Sequence, residues 1–289
     1  MKYMVTGATG HLGILVMKEL LNRVDPKEVA VSVRTVEKAK AYSEKGVDVR
    51  RGDFEEVELM VDTFKGVERL LIISTDGDNA TRIRQHTNAI EAAKKAGVQF
   101  IVYTSLANAE QSNLFLAEVH QKSEAAIKNS GITYAILRNN WYLENEVSSV
   151  QGVLSGAPWV TSAKDGKVGW ALREDYALAA ATVLVEEEKH DNKIYELSGD
   201  LHTQEEIANE VGKILSKDIE VLHVDDKTYE EIMRKAGVPE SFMPMLLEIQ
   251  KGIRHHELEV VNSDFEKIIG RKPIPLKDAV NQLVKMAKK

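Results

Sequence analysis

Three glycines at a fixed spacing, close to the start of the chain, constrain its fold more than any other feature. An apolar segment, residues 3–5, leads directly into Thr6-Gly7-Ala8-Thr9-Gly10-His11-Leu12-Gly13. This spacing allows a tight turn, close approach of the backbone to a ligand and close packing of the next helix on the strand. The free N–H groups and positive dipole end of that helix suit a pyrophosphate. The motif therefore predicts a dinucleotide site, with an ordinary strand-to-helix turn as the alternative.

The end of the second predicted strand, Val29–Val33, indicates which dinucleotide. Arg34 follows this strand, and no Asp or Glu occupies its end. A carboxylate here commonly binds the ribose hydroxyls of NAD, whereas an arginine can hold the 2′-phosphate of NADP. Arg34 therefore favours NADPH over NADH, unless it is a solvated loop residue. After a third strand, residues 47–51, the Asp53 carboxylate could accept a bond from the adenine amino group or cap a turn.

Composition and charge exclude several classes of function. A chain of 289 residues can form one large or two modest domains. The net charge of −7, with scattered basic residues, disfavours nucleic acid and anionic membranes as partners. Without cysteine there is no disulfide, thiolate nucleophile or Cys-ligated metal. No signal-like segment or long apolar run is present, so we expect a cytoplasmic protein; the sequence permits a homodimer without predicting one.

Strand and helix patterns alternate along the first half of the chain, as in a parallel sheet covered on both faces. After the third strand we predict strands at 69–73, 100–104 and 133–137, with helices at 81–95 and 116–129. The predicted fold class is α/β, with a Rossmann-type, doubly wound parallel sheet over residues 1–145. A smaller mixed α/β region, 146–289, would bind substrate, and part of it, near 175–197, would return to the sheet. Ligands of such sheets bind at the carboxyl ends of the strands.

The C-terminal half is predicted from local patterns alone. A capping box, Thr203-Gln204-Glu205-Glu206, opens a helix that reaches residue 215. The other predicted elements are strands at Lys193–Leu197 and 220–224, and helices at 175–187, 229–236, 243–253, 263–269 and 276–289. The sequence His255-His256 is interpreted as a solvated helix end.

Several motifs beyond the glycine loop resemble one known group. They are Val31-Ser32-Val33-Arg34, Gly46-Val47-Asp48-Val49-Arg50, Gly52-Asp53-Phe54, Tyr103-Thr104-Ser105, Leu116-Ala117-Glu118-Val119-His120, Leu137-Arg138-Asn139-Asn140-Trp141-Tyr142 and Tyr195-Glu196-Leu197-Ser198-Gly199. Together they resemble the atypical short-chain dehydrogenase/reductases with an NmrA-like nucleotide-binding domain. Within that group, the likeness is greatest to bacterial zinc-independent, NADPH-dependent quinone oxidoreductases and to triphenylmethane reductases. The run Arg-Asn-Asn-Trp-Tyr is the most specific part.

The resemblance implies NADP as cofactor and a small aromatic acceptor, such as a quinone, as substrate. It also implies which residues line the two sites. Besides the glycine loop they are Arg34, Asp53, Phe54, Ser74, Thr75, Thr104, Ser105, Asn140, Trp141, Tyr142 and Asn145. Position at predicted strand ends independently favours Ser74, Thr75, Ser105 and the segment 138–142.

One departure from ordinary short-chain dehydrogenases limits the chemistry. Those enzymes use a Tyr-x-x-x-Lys pair, in which the Lys lowers the pKa of the Tyr so that the phenol exchanges a proton with substrate. None of the eight tyrosines here has Lys four residues later. A simple ketone, whose reduction forms a strongly basic alkoxide, is therefore an improbable substrate. A quinone forms a phenolate-type anion of conjugate-acid pKa about 10, which water can protonate, and a cationic triarylmethane dye needs no proton.

At the expected place of that pair stand His120 and Glu124, one helical turn apart. His120 could give a hydrogen bond or proton to the reduced acceptor, with Glu124 orienting the imidazole, or the two could be a surface pair. No third ligand accompanies them, so we predict no metal site. Trp141 and Tyr142 could supply aromatic surface beside a flat acceptor, or pack in the core.

Two other classes remain open from the sequence. NmrA-like proteins include dinucleotide-binding redox sensors without turnover, and the missing Tyr-Lys pair suits a sensor as well. An isomerase or epimerase of nucleotide-linked sugars usually retains that pair, so its absence counts against this class. We rank a reductase first, a sensor second and an epimerase third.

Overall fold

The computed structural model describes residues 1–186 and 188–289. Its strands are β1 Tyr3–Thr6, β2 Val29–Val33, β3 Asp48–Arg51, β4 Arg69–Ile72, β5 Phe100–Leu106, β6 Thr133–Asn139, β7 Trp159–Thr161, β8 Lys167–Val168, β9 Lys193–Leu197, β10 His202–Thr203 and β11 Val221–His223. Its helices are α1 His11–Leu21, α2 Lys40–Ser43, α3 Val57–Phe64, α4 Asn79–Ala96, α5 Ala117–Ser130, α6 Val147–Leu154, α7 Arg173–Val185, α8 Gln204–Leu215, α9 Asp226–Lys235, α10 Met243–Arg254, α11 Asp264–Ile269 and α12 Leu276–Ala287.

Within the described residues, seven strands form one sheet in the order β3-β2-β1-β4-β5-β6-β9. Every neighbouring pair in this sheet is parallel. The chain begins at the centre, winds outward to β3, and returns across β1 to wind outward on the other side. This order is the Rossmann topology, and it confirms the predicted fold class.

Alternating side chains on each strand bury the sheet on both faces. On β1, Val5 packs with α1 and α7 in one apolar layer. Its neighbour Met4 faces the opposite layer, where α3, α4 and α5 cover the sheet. Near-continuous apolar strands such as Val29–Val33, buried along their whole length, are typical of a parallel sheet covered in this way.

The C-terminal region adds a third apolar cluster beside the sheet. Helices α6, α8 and α12 pack around Trp159, Ile207 and Leu283, all buried. Strand β9 leaves this region and pairs in parallel with β6. Helix α7 also packs on the main sheet, against α1. Among the described residues, no helix has the length and apolar character needed to cross a bilayer.

Most predicted elements are present, with shifted ends. Strands β2 and β9 have the predicted bounds, and the capping box of Thr203 and Glu206 is confirmed. Strands β5 and β6 each extend two residues beyond their predicted ends. Helix α7 begins earlier than predicted and ends at Val185; Glu187, at the end of the predicted helix, lies outside the described residues. His256 is exposed after α10, as predicted.

Candidate active site

A cavity of about 480 Å³ opens at the carboxyl ends of the central strands. It is lined by Thr6, Gly7, Thr9, Gly10, His11, Leu12, Gly13, Ser32, Val33, Arg34, Gly52, Asp53, Phe54, Ile73, Ser74, Thr75, Asp76, Gln85, Tyr142 and Arg173. Its volume is typical of small-molecule sites. The structure therefore brings most of the predicted cofactor residues together around one space, where an open α/β sheet binds its ligands.

The glycine loop forms the floor of the cavity, and its close backbone packing requires glycine at positions 7 and 13. Gly7 has a φ of +64°, which few residues other than glycine adopt. A Cβ atom on Gly13 would lie 2.1 Å from the Gly7 carbonyl oxygen. The first hydrogen bond of α1 runs from the Ile14 N–H to the Gly10 carbonyl and is 2.9 Å long. The N–H groups before Ile14, beginning at His11, have no acceptor within the helix. No side chain caps them and no acidic residue occupies the first turn, so they remain available for an anion.

The ends of β2 and β3 form one end of the cavity. Arg34 is exposed there, and its guanidinium has no hydrogen-bond or ion-pair partner in the described part of the chain. A Cβ atom on Gly52 would lie 2.2 Å from the Ser32 hydroxyl, so the two strand ends are in close contact. Asp53 lies beside them and accepts one bond from the Glu55 N–H, at 3.0 Å. Its second carboxylate oxygen stays available for a ligand.

The loop after β4 forms the opposite wall and is held by buried side chains. The Ser74 N–H donates to the Thr104 hydroxyl at 2.9 Å, and the Thr75 N–H donates to His86 Nε2 at 2.9 Å. Because Nε2 accepts, the neutral His86 ring carries its proton on Nδ1 and donates it to the Ser123 hydroxyl, 2.8 Å away. Burial lowers the pKa of His86 to about 3. The loop is therefore fixed by a histidine that stays neutral.

His120 belongs to the same buried network. Its Nδ1 lies 3.0 Å from the Tyr103 hydroxyl, which also lies 3.2 Å from His86 Nδ1. Its Nε2 lies 3.3 Å from Arg82. Burial, followed by the positive charge of Arg82, lowers the pKa of His120 well below its ordinary value. The ring is only 4% exposed and does not line the cavity, so the structure does not bring His120 to the predicted catalytic position.

Both sequence-based interpretations of the His120–Glu124 pair are wrong. The pair is not on the surface, because Glu124 is 3% exposed. Glu124 does not orient the imidazole either, because its two oxygens accept bonds of 2.9 and 2.8 Å from Arg138, and one accepts a 2.6 Å bond from Ser105. Charge pairing with an arginine on β6 outweighs the helical spacing. Glu196 makes a second ion pair with Arg138, at 3.1 Å.

Tyr142 lines the cavity at the end remote from Arg34. Its ring packs edge-on against Tyr176, with centroids 5.1 Å apart, and the Arg173 guanidinium lies 4.7 Å from its centroid. The Asn139 amide donates to its hydroxyl at 3.1 Å, which leaves the phenol hydrogen available for a ligand. Burial raises the pKa of Tyr142, so this residue donates hydrogen bonds as a neutral phenol.

The remaining predicted residues do not line the cavity. Thr104 supports Ser74, and Ser105 donates to Glu124. The Asn140 amide donates to the Ser198 hydroxyl and the Leu258 carbonyl, because its strand end meets the C-terminal region. The others are Ala8, buried under the loop; Trp141, packed in the C-terminal apolar cluster; and Asn145, which accepts a bond from Arg173.

Several lining residues were not predicted as site residues. Ser32 and Gly52 are cavity residues because β2 and β3 end in contact, a pairing that no local pattern reveals. Asp76 lies in the loop after β4, directly after Ser74 and Thr75. The rule that ligands bind at the carboxyl ends of strands could therefore have included it. Arg173, the first residue of α7, lies two residues before the predicted helix 175–187, and no role in the site was predicted for it.

Comparison with known proteins identifies the family of this chain. The model of the NmrA-like family matches residues 2–273. The chain belongs to the NmrA-like family. Among curated relatives of this family member, Quinone oxidoreductase 2 of Escherichia coli is 36% identical over 280 residues, which cover 96% of this chain and 97% of that protein.

Two solved structures are similar to this NmrA-like protein over nearly its whole length. The NADPH-dependent quinone oxidoreductase from Escherichia coli, complexed with NADPH, matches with a TM-score of 0.93 and 36% identity, covering 97% of this chain and 99% of that one. The Citrobacter sp. triphenylmethane reductase, complexed with NADP(H), matches with a TM-score of 0.92 and 38% identity, covering 98% and 100%. These likenesses confirm the predicted family and fold.

Proposed function

We propose that this protein is an NADPH-dependent reductase that transfers hydride to a quinone-type or other delocalised, electron-poor acceptor. One observation carries the choice of cofactor. Arg34 lies at the strand end that meets the adenosine ribose in this topology, with no partner among the described residues and no carboxylate at the end of β2. A free guanidinium at this point binds a 2′-phosphate in a bidentate fork.

The residues present fit a dinucleotide along the cavity. The open N–H groups of α1 suit the pyrophosphate, and the absence of a Cβ on Gly13 lets α1 pack closely on the loop that presents them. Asp53 and Phe54 suit adenine, through a carboxylate oxygen and an aromatic face. The Ser74–Thr75 loop and Tyr142 suit the nicotinamide, because they follow β4 and β6 on the other side of β1.

NADPH, when bound, supplies the hydride. The protein contributes orientation and exclusion of water, since the acceptor must lie face to face with the nicotinamide. Tyr142 offers an aromatic ring and a phenol hydrogen at that end of the cavity. We propose that residues 146–289, apart from the part that joins the main sheet, close the acceptor site.

The buried groups around the site favour water as the final proton source. His120 is neutral and enclosed, and Glu124 is held by Arg138. Neither reaches the cavity as an acid. A hydroquinone anion has a conjugate-acid pKa of about 10, so water protonates it near neutral pH without help from the protein. This chemistry favours quinones or cationic triarylmethane dyes over simple ketones, whose alkoxide is a much stronger base.

The test is loss of NADPH absorbance when the purified protein meets a panel of benzoquinones and naphthoquinones and one cationic triphenylmethane dye, with NADH in parallel. We expect turnover with at least one quinone and faster turnover with NADPH than with NADH at equal low concentration. Tight NADPH binding with no oxidation by any acceptor would contradict the proposal and support a redox sensor.

A further inference from the structure

The cavity contains an arginine at each end, and the second one has no assigned role. Arg34 follows β2, whereas Arg173 begins α7 and lies over Tyr142, which follows β6. Strands β1, β4 and β5 separate β2 from β6. Four strand spacings of about 4.8 Å correspond to about 19 Å. If Arg34 binds the 2′-phosphate, Arg173 therefore stands at the reacting end of the cofactor.

The Arg173 guanidinium is held in place from two sides. Its Nη2 donates to the Asn145 side-chain oxygen at 2.8 Å, and its Cζ lies 4.7 Å from the Tyr142 ring centroid. An arginine fixed by a hydrogen bond and an aromatic face presents its other N–H groups in a constant direction. Its side chain is 17% exposed and lines the cavity, so protein encloses most of the guanidinium.

The nearest carboxylate, Glu144, forms an ion pair with the guanidinium but accepts no hydrogen bond from it. Glu144 accepts two bonds, of 2.8 and 3.1 Å, from the backbone N–H of Arg173 and so caps α7. Its distance to the guanidinium is 3.7 Å, longer than a hydrogen bond. Asp76, the other charged residue in the lining at this end, is exposed to solvent. The guanidinium N–H groups therefore remain available to a ligand.

Reduction of a quinone creates an anion at this place. A quinone that gains a hydride forms one new O–H bond with two electrons, while the nicotinamide loses its C4–H bond and those electrons. One negative charge remains on the second quinone oxygen until water protonates it. A cationic triarylmethane dye instead becomes neutral and forms no anion. A fixed cation therefore stabilises the transition state of quinone reduction, in which negative charge develops. It does not stabilise the transition state of dye reduction, in which no negative charge develops on the acceptor.

We propose that Arg173 is a catalytic residue for quinone-type acceptors, whose guanidinium binds the oxygen that becomes negative, and that it thereby selects neutral quinones over cationic dyes. This inference rests on the proposed reductase function. According to this inference, the Arg173 side chain at the start of α7 determines which class of acceptor is reduced.

The test compares the wild-type protein with Arg173→Gln, Arg173→Lys and the control Arg234→Gln. Arg234 is an exposed arginine on α9 that does not line the cavity. For Arg173→Gln we expect kcat with a neutral quinone to fall about 10²- to 10³-fold, while kcat with the cationic dye and the Kd for NADPH stay within about twofold of wild type. Arg173→Lys should recover part of the lost quinone rate, and Arg234→Gln should resemble wild type.

A second readout does not depend on turnover. In the presence of NADP⁺, the wild-type protein should bind 4-nitrophenol as the phenolate, seen as a lower apparent pKa of the bound probe by absorbance. Arg173→Gln should lose this shift. Equal losses of rate with quinone and dye, or an unchanged quinone rate and probe pKa, would overturn the role of Arg173. Failure of the wild-type protein to reduce any acceptor would instead overturn the proposed function.

Discussion

At the scale of single residues, the proposed function assigns binding to one end of the cavity and chemistry to the other. Arg34 has no partner in the described part of the chain, and in the proposed function it meets the 2′-phosphate that only NADP carries. Tyr142 and Arg173 lie at the opposite end, where the acceptor meets the nicotinamide in the proposed function. Changes at one end should therefore alter cofactor choice, and changes at the other should alter rate.

Arg34→Ala should weaken NADPH binding and leave NADH binding nearly unchanged. Loss of a charge-assisted contact with a phosphate costs roughly 1.5–3 kcal/mol, equivalent to about 10- to 100-fold in Kd. The measurement is fluorescence titration of both cofactors. Arg23→Ala, an exposed arginine outside the cavity, is the matched control. The same loss of affinity for NADH would remove Arg34 from the 2′-phosphate site.

The glycine-loop part of the cavity lining was easier to predict than the part near Tyr142 for a physical reason. Glycines 7, 10 and 13 act through backbone geometry, which depends on local spacing. His120 was chosen by its place on a helix, but its surroundings come from Arg82 and Tyr103, which are distant in sequence. Arg173 was missed because only the tertiary fold brings the start of α7 to Tyr142.

At the scale of elements, one buried ion pair joins α5 to β6. Arg138 donates to both oxygens of Glu124 with bonds of 2.9 and 2.8 Å, and the side chains are 9% and 4% exposed. Removing one partner of such a buried pair is strongly destabilising, because the other charge stays buried without a partner. The pair therefore fixes the helix on which a conventional dehydrogenase would carry its Tyr-Lys acid.

Glu124→Gln should lower the free energy of unfolding by about 3 kcal/mol, because Arg138 loses its closest charged partner. Urea denaturation followed by circular dichroism measures this change. Glu118→Gln on the same helix breaks the exposed pair with Lys122 and should leave stability nearly unchanged. If Glu124 were instead a catalytic group, its variant would lose quinone turnover while keeping wild-type stability.

Element prediction succeeded where periodicity was long enough. Helices α4 and α5 and strand β9 follow from their patterns and flanking glycines. Helices α3 and α6 were not predicted, because eight-residue helices show barely two turns of periodicity. The two-residue strands β8 and β10 exist only as partners of each other, which no local pattern can show.

At the scale of the whole molecule, stability should respond to pH through buried groups with opposite effects, among them His86 and Glu146. Burial lowers the pKa of His86 to about 3 and raises that of Glu146 to about 7. Between pH 6.5, the ordinary pKa of histidine, and about pH 3, His86 binds a proton in the unfolded state but not in the folded state. The free energy of unfolding therefore decreases as pH falls through this range. Between about pH 7 and pH 4.5, Glu146 binds a proton in the folded state but not in the unfolded state. It therefore increases the free energy of unfolding as pH falls through this range.

Variants should separate these two contributions. Between about pH 7.5 and about pH 5, each group changes the free energy of unfolding by about 2 kcal/mol, in opposite directions. Relative to wild type over this interval, His86→Gln should gain stability on acidification and Glu146→Gln should lose it. Urea denaturation at both pH values gives the difference. Parallel pH profiles for all three proteins would contradict these pKa shifts.

The most direct measurement is a single turnover, with protein in excess over NADPH and one naphthoquinone, followed by stopped-flow absorbance with protiated and with C4-deuterated NADPH. We predict one hydroquinone per NADPH oxidised and slower oxidation when the transferred position carries deuterium. NADPH that binds in the cavity but is not oxidised by the quinone would contradict the proposed function.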